Sequence, residues 1–275
     1  MARSARPWRW SISRSHLLQE CPRAFEFHLK RGDNSVNQSN LIKLAALTGI
    51  ASHEAISVEL DRWASGGIAS EREAIVSAMS FLDEVWESRT ERIIEVRNGL
   101  ELEPVQIETC RRVVQGRLKR FFEMLWPQFS GMRHESHEKL EGFGGCALPV
   151  VVKIDLACWN EQQQVVIADW KTGSWQNLVS GRVQLAVYAL WARNRFALPL
   201  EAILPALVSL QTGEIQRFHP TEYDIQFVRD EIKADSDRTK LFLRKGEFPA
   251  SPQPEKCRGC AFLPRCEEGS EAVGL

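Results

Sequence analysis

The spacing of hydrophobic and polar positions changes near residue 145, and the two parts of the chain predict different elements. Apolar residues recur mainly at helical spacing before that point. After it come two apolar runs, VVKIDLACW and QVVIADWKTG, which are typical of buried strands. A polar turn at residues 160–163 separates these runs, so they predict a β-hairpin.

Capping and turn residues predict the remaining elements. Ser11 or Ser13 can cap a first helix, which Pro22 interrupts. Other helices are predicted over residues 41–63, 71–96, 104–126, 182–193 and 222–244, and a second hairpin over residues 202–218. We expect a single domain over residues 1–275, with a helical insert at residues 65–138 and a cysteine-rich C-terminal segment at residues 250–275.

Each apolar run carries one aspartate where a core residue would otherwise lie, Asp155 in the first and Asp169 in the second, and the second run also carries Lys171. Buried charges persist mainly when they pair or hold a metal. Side chains alternate across a strand, so Asp169 and Lys171 share one face, and Asp155 joins them if paired residue numbers sum to an even value. Two carboxylates that meet there suit Mg²⁺ or Mn²⁺. A purely structural salt bridge to Lys171 is the alternative.

Composition allows a sizeable core but gives no global reason to bind a polyanion. The chain is 44% hydrophobic with nine Trp, and its net charge is −1. Any nucleic-acid surface must therefore be a local patch. No run approaches the roughly 20 apolar residues that span a bilayer, so we expect no membrane segment and a cytoplasmic protein.

The seven cysteines are an odd number in a chain without a secretion signal, which favours metal binding or burial over disulfides. Cys257-x₂-Cys260-x₅-Cys266 supplies three closely spaced thiols that suit zinc or an iron–sulfur cluster, and a fourth ligand is required. The others, Cys110, Cys146 and Cys158, lie in helix or strand patterns and are predicted to be apolar packing residues.

The order of the charged motifs resembles the PD-(D/E)xK nuclease superfamily, in particular its RecB-like and Cas4-like branch. The resemblance is carried by Asp155, the run Asp169-Trp-Lys171, the pair Gln184 and Tyr188, and Gly49-x₃-His53. It implies a restriction-endonuclease-like α/β core, a mixed central sheet flanked by helices. By resemblance, the Mg²⁺ or Mn²⁺ ligands are His53, Asp155 and Asp169, and the other catalytic residues are Lys171, Gln184 and Tyr188. Val152 departs from the family, which often has Gly there.

The cysteines add a second resemblance, to iron–sulfur nucleases of the same branch. Cys21-Pro-Arg-Ala-Phe25 matches their N-terminal segment, which implies a [4Fe–4S] cluster held by Cys21, Cys257, Cys260 and Cys266. The implied function is a metal-dependent DNA exonuclease acting on single-stranded DNA or free ends in repair, recombination or CRISPR adaptation, with a helicase or a CRISPR adaptation complex as candidate partner. Two alternatives stay open, a non-catalytic DNA-binding subunit and a zinc-stabilised scaffold without a nucleic-acid role.

Overall fold

Helices dominate the N-terminal half of the computed structural model, which describes residues 8–30, 41–173 and 178–275. In chain order they are α1 (Ile12–Glu20), α2 (Pro22–Lys30), α3 (Leu47–Ala64), α4 (Glu71–Glu87), α5 (Arg89–Arg92), α6 (Ile94–Arg97) and α7 (Pro104–Arg120). The Ser11 hydroxyl accepts a hydrogen bond from the Arg14 amide and caps α1. The predicted break at Pro22 separates α1 from α2.

The single helix predicted over residues 71–96 is wrong, because the chain leaves helical geometry at Ser88 and again at Ile93. Ile93 is extended and fully buried, and it forms an isolated parallel bridge with Ile42. The helix predicted over residues 104–126 is α7 followed by a π-helical turn, Phe121–Leu125. At Ile93, pairing of a buried β-branched residue with a distant segment overrides the helical spacing of the sequence.

The strands form one mixed sheet and one small antiparallel pair. They are β1 (Arg133–Ser136), β2 (Lys139–Phe143), β3 (Val150–Ile154), β4 (Leu156–Trp159), β5 (Val165–Lys171), β6 (Ile203–Ser209) and β7 (Ile215–Arg217). Among the described residues, the larger sheet has the order β1-β4-β5-β6-β7, and only β5 and β6 run parallel. The smaller sheet pairs β2 with β3. Both predicted hairpins, β4–β5 and β6–β7, are confirmed.

Helices cover both faces of the larger sheet, which confirms the predicted α/β class. The remaining helices are α8 (Leu178–Phe196), α9 (Glu222–Lys245), α10 (Pro254–Arg258) and α11 (Glu267–Val273). Trp170 and Val208 pack with the helices of the N-terminal half. Ile167 and Leu207 pack with α8 and α9 on the opposite face. Across the described ranges, no helix is both long enough and apolar enough to cross a membrane.

The chain passes between the two sheets twice at the same corner, from β1 to β2 and from β3 to β4. The last pair in the smaller sheet is Lys139 with Ile154, and the first pair in the larger sheet is Ser136 with Ala157. The helical part of the stretch predicted as a helical insert over residues 65–138 ends at Gln128, and strand β1 follows within the same stretch. Because β1 is short and polar, its strand periodicity is weak.

The two chain ends meet beside α1 and α2. Leu18 and Phe25 form a buried cluster with Phe248. The Arg23 amide donates to the Pro249 carbonyl at 3.1 Å. The cysteine-rich C-terminal segment contains α10 and α11, because Pro254 starts one short helix and acidic residues begin the other.

Candidate active site

The two aspartates lie where β5 approaches the corner between the sheets. Leu156 pairs with Ala168, so the residue numbers sum to an even value and Asp155 falls opposite Asp169. Asp155 itself is the bend between β3 and β4, and its Oδ2 accepts a hydrogen bond from the Trp170 amide at 2.7 Å. The strand break therefore turns a buried carboxylate toward the backbone of β5.

Hydrogen-bond donors from β5 and α8 surround the Asp169 carboxylate. Its Oδ1 accepts from Gln184 Nε2 and from the Tyr188 hydroxyl, each at 2.7 Å. Its Oδ2 lies 2.7 Å from Lys171 Nζ, which also donates to Gln184 Oε1 at 2.6 Å. Gln184 and Tyr188 are four residues apart on α8, so one helix face supplies both contacts. This network holds a buried charge that water does not reach.

His53, from α3, faces the other aspartate. His53 Nε2 lies 3.1 Å from the Trp170 carbonyl oxygen, which can only accept, so Nε2 carries the hydrogen. Nδ1 then points at Asp155 Oδ1, 3.5 Å away. Glu138 Oε1 also lies 3.5 Å from Nδ1, so the three residues offer ligand atoms within 4.8 Å of one another.

The electrostatics of these groups favour a cation. Burial lowers the pKa of His53, but the carboxylates of Asp155 and Glu138 outweigh it and raise the pKa to about 10. Burial raises the pKa of Asp169, and the charge of Asp155 raises it further, although Lys171 offsets part of the shift. Nitrogen and carboxylate oxygen donors in a negative pocket suit a divalent ion, so the residues present fit the metal.

The start of α3 and the end of β5 approach closely at a glycine. A Cβ at Gly49 would lie 3.0 Å from Thr172 Oγ1, so a larger residue would push the two elements apart. From α7, Arg117 Nη2 donates to the Thr172 carbonyl at 2.6 Å. The helical half of the molecule therefore holds the segment that follows Lys171.

Four cysteines line a second pocket, at the meeting point of the chain ends. The pocket is lined by Cys21, Cys257, Cys260 and Cys266, together with aromatic and aliphatic residues such as Phe27 and Leu263. Burial raises the pKa of the Cys260 thiol, and the neighbouring Cys21 and Cys257 raise it further. A Cβ at Gly269 would lie 3.3 Å from Cys266 Sγ, so this glycine leaves room beside the thiol.

The other cysteines lie away from this pocket. Cys158 is fully buried in β4, and burial raises the pKa of its thiol to about 12. Cys110 and Cys146 are half-buried. Burial also raises the pKa of both these thiols, which keeps them protonated packing residues.

The structure thus brings His53 next to Asp155, and Asp169 next to Lys171, Gln184 and Tyr188. Glu138 joins the first group, although no sequence pattern predicted it as a site residue. The run HESHEKLEGF places several acidic and His residues between the last helix and the first strong strand pattern. That density was the available signal, but a carboxylate in a short polar stretch is usually a solvated surface residue.

A mixed sheet whose acidic residues meet a lysine and a histidine at a strand break defines a restriction-endonuclease-like α/β protein. The chain belongs to the PD-(D/E)XK nuclease superfamily, whose family model matches residues 9–267. Members usually use divalent metals, and the superfamily implies a nucleic-acid substrate.

The solved structures that match the chain include two distant ones. One is a candidate exonuclease from Eubacterium rectale, with 11% identity, a TM-score of 0.37, and coverage of 87% of this chain and 92% of that one. The other is SSO0001, with 16% identity, a TM-score of 0.30, and coverage of 94% and 97%. Likenesses this distant carry no functional argument. No curated protein matches the chain.

Proposed function

We propose that this chain is a divalent-metal-dependent deoxyribonuclease, an exonuclease that hydrolyses single-stranded or free-ended DNA. The observation that carries the proposal is the placement of Asp155 opposite Asp169, with Lys171 paired to Asp169 and His53 beside Asp155. We also propose that the protein acts in DNA repair, recombination or CRISPR adaptation, with a helicase or a CRISPR adaptation complex as its partner. Its proposed location is the cytoplasm.

His53, Asp155 and Asp169 are the proposed ligands of Mg²⁺ or Mn²⁺. When bound, the ion supplies Lewis-acid chemistry that polarises a phosphoryl oxygen. The Lys171 side chain is 35% exposed and lies at the edge of the network. Its positive charge can therefore neutralise charge that develops on a phosphate. Gln184 and Tyr188 orient Asp169 and keep its carboxylate fixed.

The test compares cleavage of end-labelled single-stranded and double-stranded DNA, with Mg²⁺ or Mn²⁺, by wild type and Lys171→Ala. We expect wild type to shorten DNA from an end, and Lys171→Ala to lose at least about a hundredfold in rate, in line with the loss of one electrostatic catalytic donor. Lys245→Ala, at the exposed end of α9, is the matched control. Equal cleavage by all three proteins, or none by wild type with either ion, would reject the proposal.

We further propose that the chain belongs to the RecB-like and Cas4-like branch and that Cys21, Cys257, Cys260 and Cys266 hold a [4Fe–4S] cluster. Thiolates around one zinc ion lie about 3.8 Å apart, because Zn–S bonds are about 2.3 Å long. In the described part of the chain, no three cysteine Sγ atoms lie within 4.8 Å of one another, although all four line one pocket. Four thiols suit either group, and the resemblance of Cys21-Pro-Arg-Ala-Phe25 and of the C-terminal cysteine spacing to iron–sulfur nucleases supports the cluster.

The cluster would tie together chain ends that already pack against each other through Phe25 and Phe248. Its proposed task is therefore to fix the ends in place. Iron analysis and visible absorption of protein purified without oxygen test this, and we expect about four iron atoms per chain and a brown colour that Cys257→Ser weakens. A colourless protein with one zinc ion would support the zinc alternative and overturn the cluster.

A further inference from the structure

Glu138 lies at the corner between the sheets, in the short connection from β1 to β2. Its amide donates to the Ile154 carbonyl at 2.6 Å, directly before Asp155 on the facing strand. Its φ is +48°, in the left-handed region that residues with a Cβ rarely adopt. The corner therefore places Glu138 and Asp155 face to face, one from each strand.

The Glu138 carboxylate divides its two oxygens between different partners. Oε2 pairs with Lys153 Nζ, from β3. Oε1 is buried and, within the described ranges, makes no regular hydrogen bond, with His53 Nδ1 at 3.5 Å. This buried oxygen therefore points at the same space as His53 Nδ1 and Asp155 Oδ1, and the three atoms lie within 4.8 Å of one another.

Asp169 does not share this space in the same way. Its oxygens already face Lys171, Gln184 and Tyr188. The group whose ligand atoms lie within 4.8 Å of one another contains Glu138 instead. Of these two carboxylates, Glu138 is thus the one already directed at His53 and Asp155.

We propose that Glu138 Oε1 is a direct ligand of the divalent ion, together with His53 Nδ1 and Asp155 Oδ1, while Lys153 holds the other oxygen. The three donors, one imidazole nitrogen and two carboxylate oxygens, form a mixed nitrogen and oxygen set that can hold Mn²⁺. The inference rests on the proposed metal-dependent function and adds a residue to its ligand set.

Mn²⁺ binding, measured from the electron paramagnetic resonance signal of free Mn²⁺ without DNA, tests the assignment. Glu138→Gln keeps the shape of the side chain and removes its charge. We expect it to weaken Mn²⁺ binding at least about tenfold, the lower end of the loss seen for groups that support a metal site. Glu54→Gln is the matched control, because Glu54 is exposed, follows His53 and lies near Lys153. We expect it to weaken binding less than about threefold.

Two further variants keep the test decisive. Lys153→Met leaves Glu138 intact and removes its competing cation, so Mn²⁺ should bind about two- to fivefold more tightly. Asp155→Asn should abolish binding. If Asp155→Asn abolishes binding while Glu138→Gln and Glu54→Gln behave alike, Glu138 is no ligand and the nuclease proposal stands. If Asp155→Asn also binds Mn²⁺ like wild type, the metal site itself is misplaced.

Discussion

Removing the Tyr188 hydroxyl tests whether hydrogen bonds around Asp169 stabilise a buried carboxylate. Gln184 Nε2 donates to the Tyr188 hydroxyl at 2.7 Å, so the hydroxyl proton is directed to Asp169 Oδ1 at the same distance. Tyr188→Phe deletes both hydrogen bonds and a longer contact of 3.3 Å to the Lys153 carbonyl, while the ring, which is 3% exposed, keeps its packing. Asp169 would retain its contacts with Gln184 and Lys171.

The magnitude follows from the two bonds. A hydrogen bond to a charged group contributes about 1.5–3 kcal/mol, and a neutral one about 0.5–1.5 kcal/mol. Tyr188→Phe should therefore lower the free energy of unfolding by about 2–4.5 kcal/mol. In a chain of this size that corresponds to a fall in Tm of roughly 4–18 °C.

Differential scanning calorimetry measures the change directly. The other tyrosine, Tyr223, is 75% exposed, so Tyr223→Phe is the matched control and should leave Tm within about 1 °C. If Tyr188→Phe melts with wild type and Tyr223→Phe, the hydroxyl does not stabilise Asp169 and the network around this carboxylate is wrongly described.

Two other predictions concern regions outside the candidate site. Burial raises the pKa of Asp224, but hydrogen bonds from Thr221 and the charge of Arg182 outweigh it and hold the pKa below its usual range. A carboxyl with a depressed folded pKa stabilises above its unfolded pKa, and the effect is lost as pH falls through the folded value. Asp224→Asn should therefore melt below wild type at pH 7, with a gap that closes below about pH 4, as measured by Tm against pH. The Asn98 side chain donates to the Arg258 carbonyl at 2.8 Å and to the Cys260 carbonyl at 3.3 Å, so Asn98→Ala should speed iron loss to a chelator about fivefold, followed by visible absorption.

Each of these has a result that would contradict it. An Asp224→Asn deficit that stays constant down to pH 3 would show that the charge of Asp224 does not contribute. Asn194→Ala is the control for Asn98→Ala, since the Asn194 side-chain amide donates to the Leu190 carbonyl within its own helix, at 3.0 Å. Equal rates of iron loss in the two variants would remove Asn98 from the support of the cysteine loop.

The strands around the aspartates could be predicted from sequence because their signal is local. A continuous apolar run with one charged residue is unusual, and alternation fixes which side chains share a face. The even register of β4 and β5 follows from the same rule, and Trp170 indeed packs away from Asp169. The helix predicted over residues 222–244 is a local signal too, and it occurs as α9 with Thr221 as its N-cap.

The corner could not be predicted in this way. The apolar run predicts one strand through Asp155, whereas the chain bends there and β3 joins a different sheet. The bend depends on β1 and β2, whose polar sequence gives little periodicity. Glu138 acquires its position only from that pairing and from a left-handed backbone, so its proximity to His53 is a tertiary property. The breaks at Ser88 and Ile93 were missed for the same reason.

A crystal of the protein soaked in Mn²⁺, with an anomalous difference map collected at the manganese edge, tests the central claim most directly. The iron of a cluster contributes little at that edge, so the two metals are distinguished. We predict one strong peak within bonding distance of His53 Nδ1 and Asp155 Oδ1, at the corner between the sheets. Saturating Mn²⁺ that leaves this position empty, or a peak only at the four cysteines, would contradict the account.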